Sequence, residues 1–417
     1  MQKTARPEFP VDNASILFLS LIKPYHTNSF RFSMTLTEPI NPEALQEAVN
    51  RIHKRFPSVI ACLRQDFFHY KQVAAAEPPK VQPDPGLLGV MSAKELAECA
   101  FRVYYQDCTV SIEAFHALTD GAGTITTFTT LISEYLEITK GVAVPVGPTR
   151  LDIKEPPKDT ETEDSYLRLR DAKPKHLPSR FSYLPAKPAD SNWQVRSNAL
   201  TMDVKPLLDA AHRYDVTLNT FLTSVLASSI MELQLKERGN KKLKPVRIMI
   251  PIDLRRMIGS RTLRNCSLYC LPTMEGHQHD LPFAELCKFF DTQLKEQLSK
   301  ENQSAMASYN VRTQNAWYFR MLPWKVKSLL LRIGYRFFGE SNSSLTLTNL
   351  GLVRLPEELM PYVTDIRCWL TPRVSSPYGC TVLSFNNKLT LNMSRFCPTD
   401  ELGEIFFRKI KELTHDI

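Results

Sequence analysis

Glycine is scarce in this chain, 14 of 417 residues. No GxGxxG and no GxxxxGK[ST] occurs, so the usual backbone cradles for a dinucleotide or for nucleoside-triphosphate phosphates are missing. Long apolar runs are missing too: nothing approaches the ~20 residues of a membrane helix. The most apolar stretch near the start, Ser15 to Ile22, follows Pro7, Glu8 and Asp12, not the basic segment of a signal peptide. The nine cysteines are odd in number and contain no CxxC pair. That argues for reduced thiols over a disulfide framework, and for a cytoplasmic protein. Cys266 and Cys270, the nearest pair, are expected to face a core, since their neighbourhood lacks the partners of a metal site. No GxSxG elbow is present. The net charge of +8 is a mild excess without a dense basic block or a nucleic-acid motif. It suits a small polyanionic ligand and excludes nucleic acid as the expected partner.

What is present is ordinary globular composition, 43% hydrophobic and 23% charged, in a chain long enough for two domains. Strands are expected at Ala14 to Leu21, Ser29 to Leu36, Phe101 to Tyr105 and Val110 to Phe115. A helix opens at Asn41-Pro42, carries Leu45, Ala48, Val49, Ile52 and Phe56 on one face, and ends at Pro57. Residues 141–190 hold many of the prolines and read as a join between halves. In the second half, helices are expected over Val216 to Leu235 and Pro282 to Leu298, and a strand over Val246 to Ile252. Thr381 to Phe385 and Leu389 to Ser394 should form a hairpin through Asn386-Asn387, because asparagine tolerates positive φ. The division is an N-terminal lobe 1–150, an inter-lobe linker 151–190 and a C-terminal lobe 191–417, each mixing strands and helices.

Trp317 to Phe338 interleaves aromatics with bases, and Val326, Leu329, Leu330, Ile333 and Phe337 share one face. The reading adopted is a core-facing helix with a solvated basic rim. A membrane-surface helix and the wall of an acyl channel are the alternatives. His277 and His279, framed by Gly276 and Pro282, read as a solvated loop, not a metal site.

The stretch with chemical content is Phe115-His116-Ala117-Leu118-Thr119-Asp120-Gly121. A strand ends at a histidine, an acid and a glycine follow, and a helix begins. Asp120 is placed to cap that helix. The helix N-terminus would disfavour a positive charge nearby and keep His116 neutral, as a general base must be. The same residues could form an ordinary strand-to-helix loop.

His116-Ala-Leu-Thr-Asp120-Gly121 resembles the HxxxDG pattern of the chloramphenicol acetyltransferase-like superfamily, which includes condensation domains and alcohol acetyltransferases. Four further stretches, in the family's order, support the resemblance. Arg55-Phe56-Pro57 resembles the end of its first helix, and Asp215-Val-Thr-Leu-Asn219 resembles a helix opening. Pro251-Ile-Asp-Leu-Arg255 followed by Asn265 resembles its P-[VI]-[DN]-L-R…N element, and Thr348-Asn349-Leu350-Gly351 its S-N-L-G element. Phe115 stands where many condensation domains have a first histidine, and no DFGWG motif is present.

The resemblance implies an α/β fold (α+β two-layer sandwiches) of two lobes, each a mixed sheet flanked by helices, with an active-site tunnel between them. It implies an acyltransferase that moves an acyl group, acetyl above all, from acyl-CoA to a small alcohol or amine. Acyl-CoA would be a co-substrate, with no bound cofactor and no metal; a carrier protein is the alternative donor. A non-catalytic binding protein of the same fold is the remaining reading. His116 would be the base. Asp120 would pair with Arg255, or failing that Arg256, and hold the loop. Gly121 would allow a tight turn or a close approach to substrate. Thr348 and Asn349 would contact the thioester carbonyl, or else simply form a turn.

Overall fold

The computed structural model describes residues 6–175, 181–185, 193–239, 242–338, 342–374 and 376–415. Strand β1 (Ser29–Leu36) has the limits its sequence suggested. It is followed by β2 (Val81–Pro83), β3 (Phe101–Gln106) and β4 (Thr109–Phe115). The second half supplies β5 (Arg196–Asp203), β6 (Val246–Asp253), β7 (Ser267–Cys270), β8 (Leu345–Leu352), β9 (Val363–Leu370), β10 (Tyr378–Phe385) and β11 (Lys388–Arg395). The helices used below are α1 (Asn13–Ser20), α2 (Pro42–Ile52), α3 (Gly121–Lys140), α4 (Leu218–Arg238), α5 (Phe283–Gln297), α6 (Trp324–Phe338) and α7 (Glu401–His415).

Two larger sheets carry the molecule. The first runs β9-β1-β4-β3-β2, antiparallel except for the β2–β3 pair. The second follows β7-β6-β8-β10-β11-β5, with β8 parallel to both β6 and β10. Strand β9 therefore joins the sheet built otherwise from the first third of the chain. A small third sheet pairs Glu8–Pro10, Tyr70–Ala74 and Ala61–Gln65.

Each large sheet has its own core. Phe32, Phe56, Phe115 and Phe128 are fully buried between the first sheet and its helices. Phe221, Phe290 and Phe406 fill the second, under α4, α5 and α7. Each buried phenylalanine contributes about 1.5–3 kcal/mol by transfer. Phe115 belongs to this packing, which explains why an apolar residue suits the place just before the histidine. The β10–β11 hairpin turns through Asn386 at φ 47° and Asn387 at φ 61°, the left-handed backbone that selected asparagine there.

Two local expectations differ from the structure. Ala14 to Leu21 is helical, as α1. Asp12 caps it, its Oδ1 accepting the Ser15 N–H at 2.8 Å and the Ser15 hydroxyl at 2.7 Å. A run that is apolar except for Ser15 and Ser20 carries neither a clear helical nor a clear strand period; the cap marks the helix. In α6, Val326, Leu329, Leu330 and Ile333 lie exposed, while Trp324, Lys327 and Ser328 face inward. The side chain of Phe337 lies outside the described residues. Between residues 151 and 190 the chain is packed in part, with Glu161, Ser165 and Tyr166 buried and Leu167 and Phe181 exposed. Its residues 176–180 and 186–190 lie outside the described residues. No single helix among the described residues is long and apolar enough to cross a membrane.

Candidate functional site

Strand β4 delivers His116. Its pairing with β1 runs to Ser29↔Phe115, and the His116 N–H then donates to the Asn28 carbonyl at 2.8 Å. The chain turns through Ala117 and Leu118, and the Thr119 hydroxyl donates to the Leu263 carbonyl at 2.6 Å. Asp120 caps α3 by accepting the Gly123 N–H at 3.3 Å. The loop is thus fixed at both ends before any chemistry is considered.

Asp120 does more than cap. Arg255 grips it with two bonds, Nη1 to Oδ2 at 2.9 Å and Nη2 to Oδ1 at 2.8 Å. The Cys266 N–H adds a third at 2.9 Å. Arg255, not Arg256, makes the pair. Its Nε donates to the Thr262 carbonyl and its Nη2 to the Arg264 carbonyl, so one guanidinium ties the loop to residues 262–266. Burial alone would raise the Asp120 carboxyl. The Arg255 charge, the Arg255 hydrogen bonds and the Cys266 and Gly123 N–H groups together outweigh it and hold the group below the usual carboxylate range. Arg55 extends the same framework. It holds Glu161 through two bonds at 2.6 and 2.8 Å, and the Glu161 carbonyl accepts the Leu263 N–H at 2.8 Å.

His116 sits deep in the protein, yet its surface keeps partial access. Its ring stacks on Phe18 of α1 at 4.4 Å between centroids and meets the edge of Phe30 at 4.9 Å. Burial lowers its affinity for a proton, against smaller opposing effects from its own carbonyl, Asp120 and Asn265, so the ring is held neutral. Asn265 decides which nitrogen carries the proton. Its Nδ2 donates to the His116 carbonyl at 3.0 Å, which leaves Oδ1 facing His116 Nδ1 at 3.3 Å. An amide oxygen only accepts, so Nδ1 bears the hydrogen and Nε2 keeps the lone pair. Asn265 Nδ2 also faces Asp12 and Ser15 at 3.4 Å, and Ser15 Oγ lies 2.7 Å from the Ala117 carbonyl oxygen, its one hydrogen shared between that oxygen and Asp12.

The second-half motifs also meet. Asn349 of β8 donates to Asn219, in the first turn of α4, at 3.3 Å, and accepts the Gly351 N–H at 2.9 Å. The Thr348 hydroxyl is buried without a hydrogen-bond partner among the described residues. A Cβ on Gly121 would come within 2.8 Å of Leu350 Cδ2, so the close neighbour of this glycine is the end of β8.

Three contributors were not assigned a role from the sequence. Phe18 was hidden by reading α1 as a strand, although Asp12 and Ser15 have the spacing of a helix cap. Asn265 was visible as part of a motif, but its contact with His116 spans 149 residues. Gly123 is the third: a Cβ there would lie 2.0 Å from the Leu263 carbonyl oxygen and 2.4 Å from Thr119 Oγ1. Gly123→Ala should therefore cost roughly 1–3 kcal/mol of stability or more, as overpacking against backbone does. Thermal melting would show it; an unchanged midpoint would mean that the loop can shift freely.

The nine cysteines are free thiols. Burial pushes Cys266 and Cys270 up to about 12, which leaves them poor nucleophiles at neutral pH.

No protein-family model and no curated protein matches the chain. Solved structures do. TRI101 of F. graminearum, complexed with coenzyme A and deoxynivalenol, aligns with a TM-score of 0.64 at 10% identity over 98% of each chain. The condensation domain of the monacolin K polyketide synthase MokA aligns at 0.62 and 11% identity, over 99% of this chain and 97% of that one. TRI3, a trichothecene 15-O-acetyltransferase from Fusarium sporotrichioides, aligns at 0.59 and 12% identity, over 98% of this chain and 95% of that one. The chain therefore has the fold of these three proteins over nearly its whole length.

Proposed function

We propose that the protein is an acyl-CoA-dependent acyltransferase that moves an acyl group, acetyl in the first instance, to an alcohol hydroxyl, with His116 as general base. The observation that carries this reading is the His116 ring: neutral, partly accessible, and oriented by Asn265 so that Nε2 holds a free lone pair. Nε2 takes the acceptor proton as the hydroxyl oxygen attacks the thioester carbonyl carbon. The C–O bond forms, the carbonyl becomes an oxyanion, and an unpaired donor such as the Thr348 hydroxyl supports it. Collapse breaks the C–S bond, and the proton on Nε2 passes to the departing sulfur. No acyl-enzyme is needed. Asp120 and Arg255 hold the loop in register and do not touch the reacting atoms.

TRI101 complexed with coenzyme A supports free CoA as the donor, and the TRI3 15-O-acetyltransferase supports acetyl transfer to oxygen. The likeness to a condensation domain keeps a carrier-bound donor as the second reading. Thiol release from acetyl-CoA, measured against a panel of alcohols and amines, separates the two. The first reading predicts acceptor-dependent release and an ester product. Release only from a carrier-protein thioester would favour the second.

A further inference from the structure

Helix α6 is built inside out. Val326, Leu329, Leu330 and Ile333 recur at helical spacing and point to solvent, with Leu329 57% exposed and Leu330 50%. The inward side carries Trp324, Lys327 and Ser328. The turn before it exposes Trp317 and Met321, at 77% and 65%. The Phe67–Phe68 turn is fastened to the same end: the Trp324 N–H donates to the Phe67 carbonyl at 2.9 Å. Lys327 Nζ donates to the carbonyls of Phe68 and Arg320, both at 3.0 Å. The buried ammonium thus clasps the parts of one apolar surface together. A contiguous exposed patch of this kind marks an interaction site.

Charge indicates the partner. Residues 302–339 contain no aspartate or glutamate, while Arg312, Arg320, Lys325, Lys327, Arg332 and Arg336 lie among them. Arg320, Lys325 and Arg332 are exposed beside the apolar stripe. The acid on the neighbouring turn, Asp66, is engaged by the N–H groups of Phe68 and His69. Exposed tryptophan and leucine with a basic, acid-free rim suit the headgroup region of an anionic bilayer.

We propose that the face formed by α6, Trp317–Met321 and the Phe67–Phe68 turn docks the protein on an anionic lipid surface. The sequence favours a core-facing stripe on α6 and leaves a membrane-surface helix as an alternative; the exposure of that stripe favours the alternative. Helix α6 also holds α1: inward-facing Ser328 lies 3.5 Å from the Ser20 carbonyl oxygen, and Arg332 reaches back from the rim to donate through Nε to the same carbonyl at 2.6 Å. Since α1 presents Phe18 to His116, the docking face lies one helix from the candidate site. The inference does not depend on the reaction proposed above.

The test is flotation of the full chain with vesicles of phosphatidylcholine alone or mixed with phosphatidylserine. Tryptophan emission and light scattering are followed alongside. The wild type should float with the mixed vesicles and shift its emission to the blue. Binding should be at least tenfold weaker on phosphatidylcholine alone or at high salt. The double variant Leu329→Asp/Ile333→Asp, changed only at exposed positions, should lose at least tenfold in binding with an unchanged melting curve. Lys325→Glu gives an independent check and should weaken binding several-fold. The proposal is overturned if the wild type floats with neither vesicle, or if the double variant floats as well as wild type. It is also overturned if the wild type is a dimer that the double variant dissociates while neither binds vesicles, which would make a second copy the occupant.

Discussion

His116→Ala should lose acceptor-dependent turnover by roughly 10²–10⁴-fold, the usual contribution of a positioned base. The fold should survive. The ring makes no ion pair; its removal costs the stacking on Phe18, the edge contact with Phe30 and the hydrogen bond to Asn265. The loop would still be held by Thr119, Asp120 and the Asn28 carbonyl. The loss should fall on kcat, because the histidine takes the proton only as attack proceeds. A variant that melts like wild type and keeps wild-type rates would remove His116 from the chemistry and leave it a core histidine.

Asp120→Asn should lower stability by about 3–5 kcal/mol, the cost of removing one partner from a buried charge pair. Arg255 would keep Asp253 at 3.0 Å, but Asp253 is half exposed and cannot replace a buried two-bond partner. Activity should fall as well, because this ion pair is the charged anchor between residues 262–266 and the His116 loop. The pH dependence has a definite sign. Asp120 is held below its ordinary value of 3.8, so its contribution is present above that value and is lost as pH falls through the lowered one. The stability gap between wild type and variant should therefore be full at neutral pH and close in strong acid. Equal melting of the two proteins at neutral pH would contradict the pairing.

The sequence made some of this legible and hid the rest for physical reasons. Turn chemistry is local, so the Asn386-Asn387 hairpin and the Asn41-Pro42 helix start could be read directly. The Asp120–Arg255 contact spans 135 residues and was accessible only through the resemblance. The tautomer of His116 needed the position of Asn265, which no spacing gives. Helix α6 shows another limit. Its periodicity correctly marked one apolar face, but periodicity does not say which face the protein covers. Trp324 and the clasp made by Lys327 turned that helix outward, so the apolar residues expected in a core became a surface.

The most direct test of the base assignment is the pH dependence of acceptor-driven CoA release, followed from about pH 5 to about pH 9, for wild type beside His116→Ala. The account predicts that wild-type kcat/KM rises from acid with its midpoint below 6.5, the ordinary histidine value, because burial lowers His116 and only its neutral form accepts the proton. The alanine variant should lack that rise. A wild-type rise centred above about pH 8, in the range of a thiol or an amine, would contradict the account, and so would an identical profile in the variant.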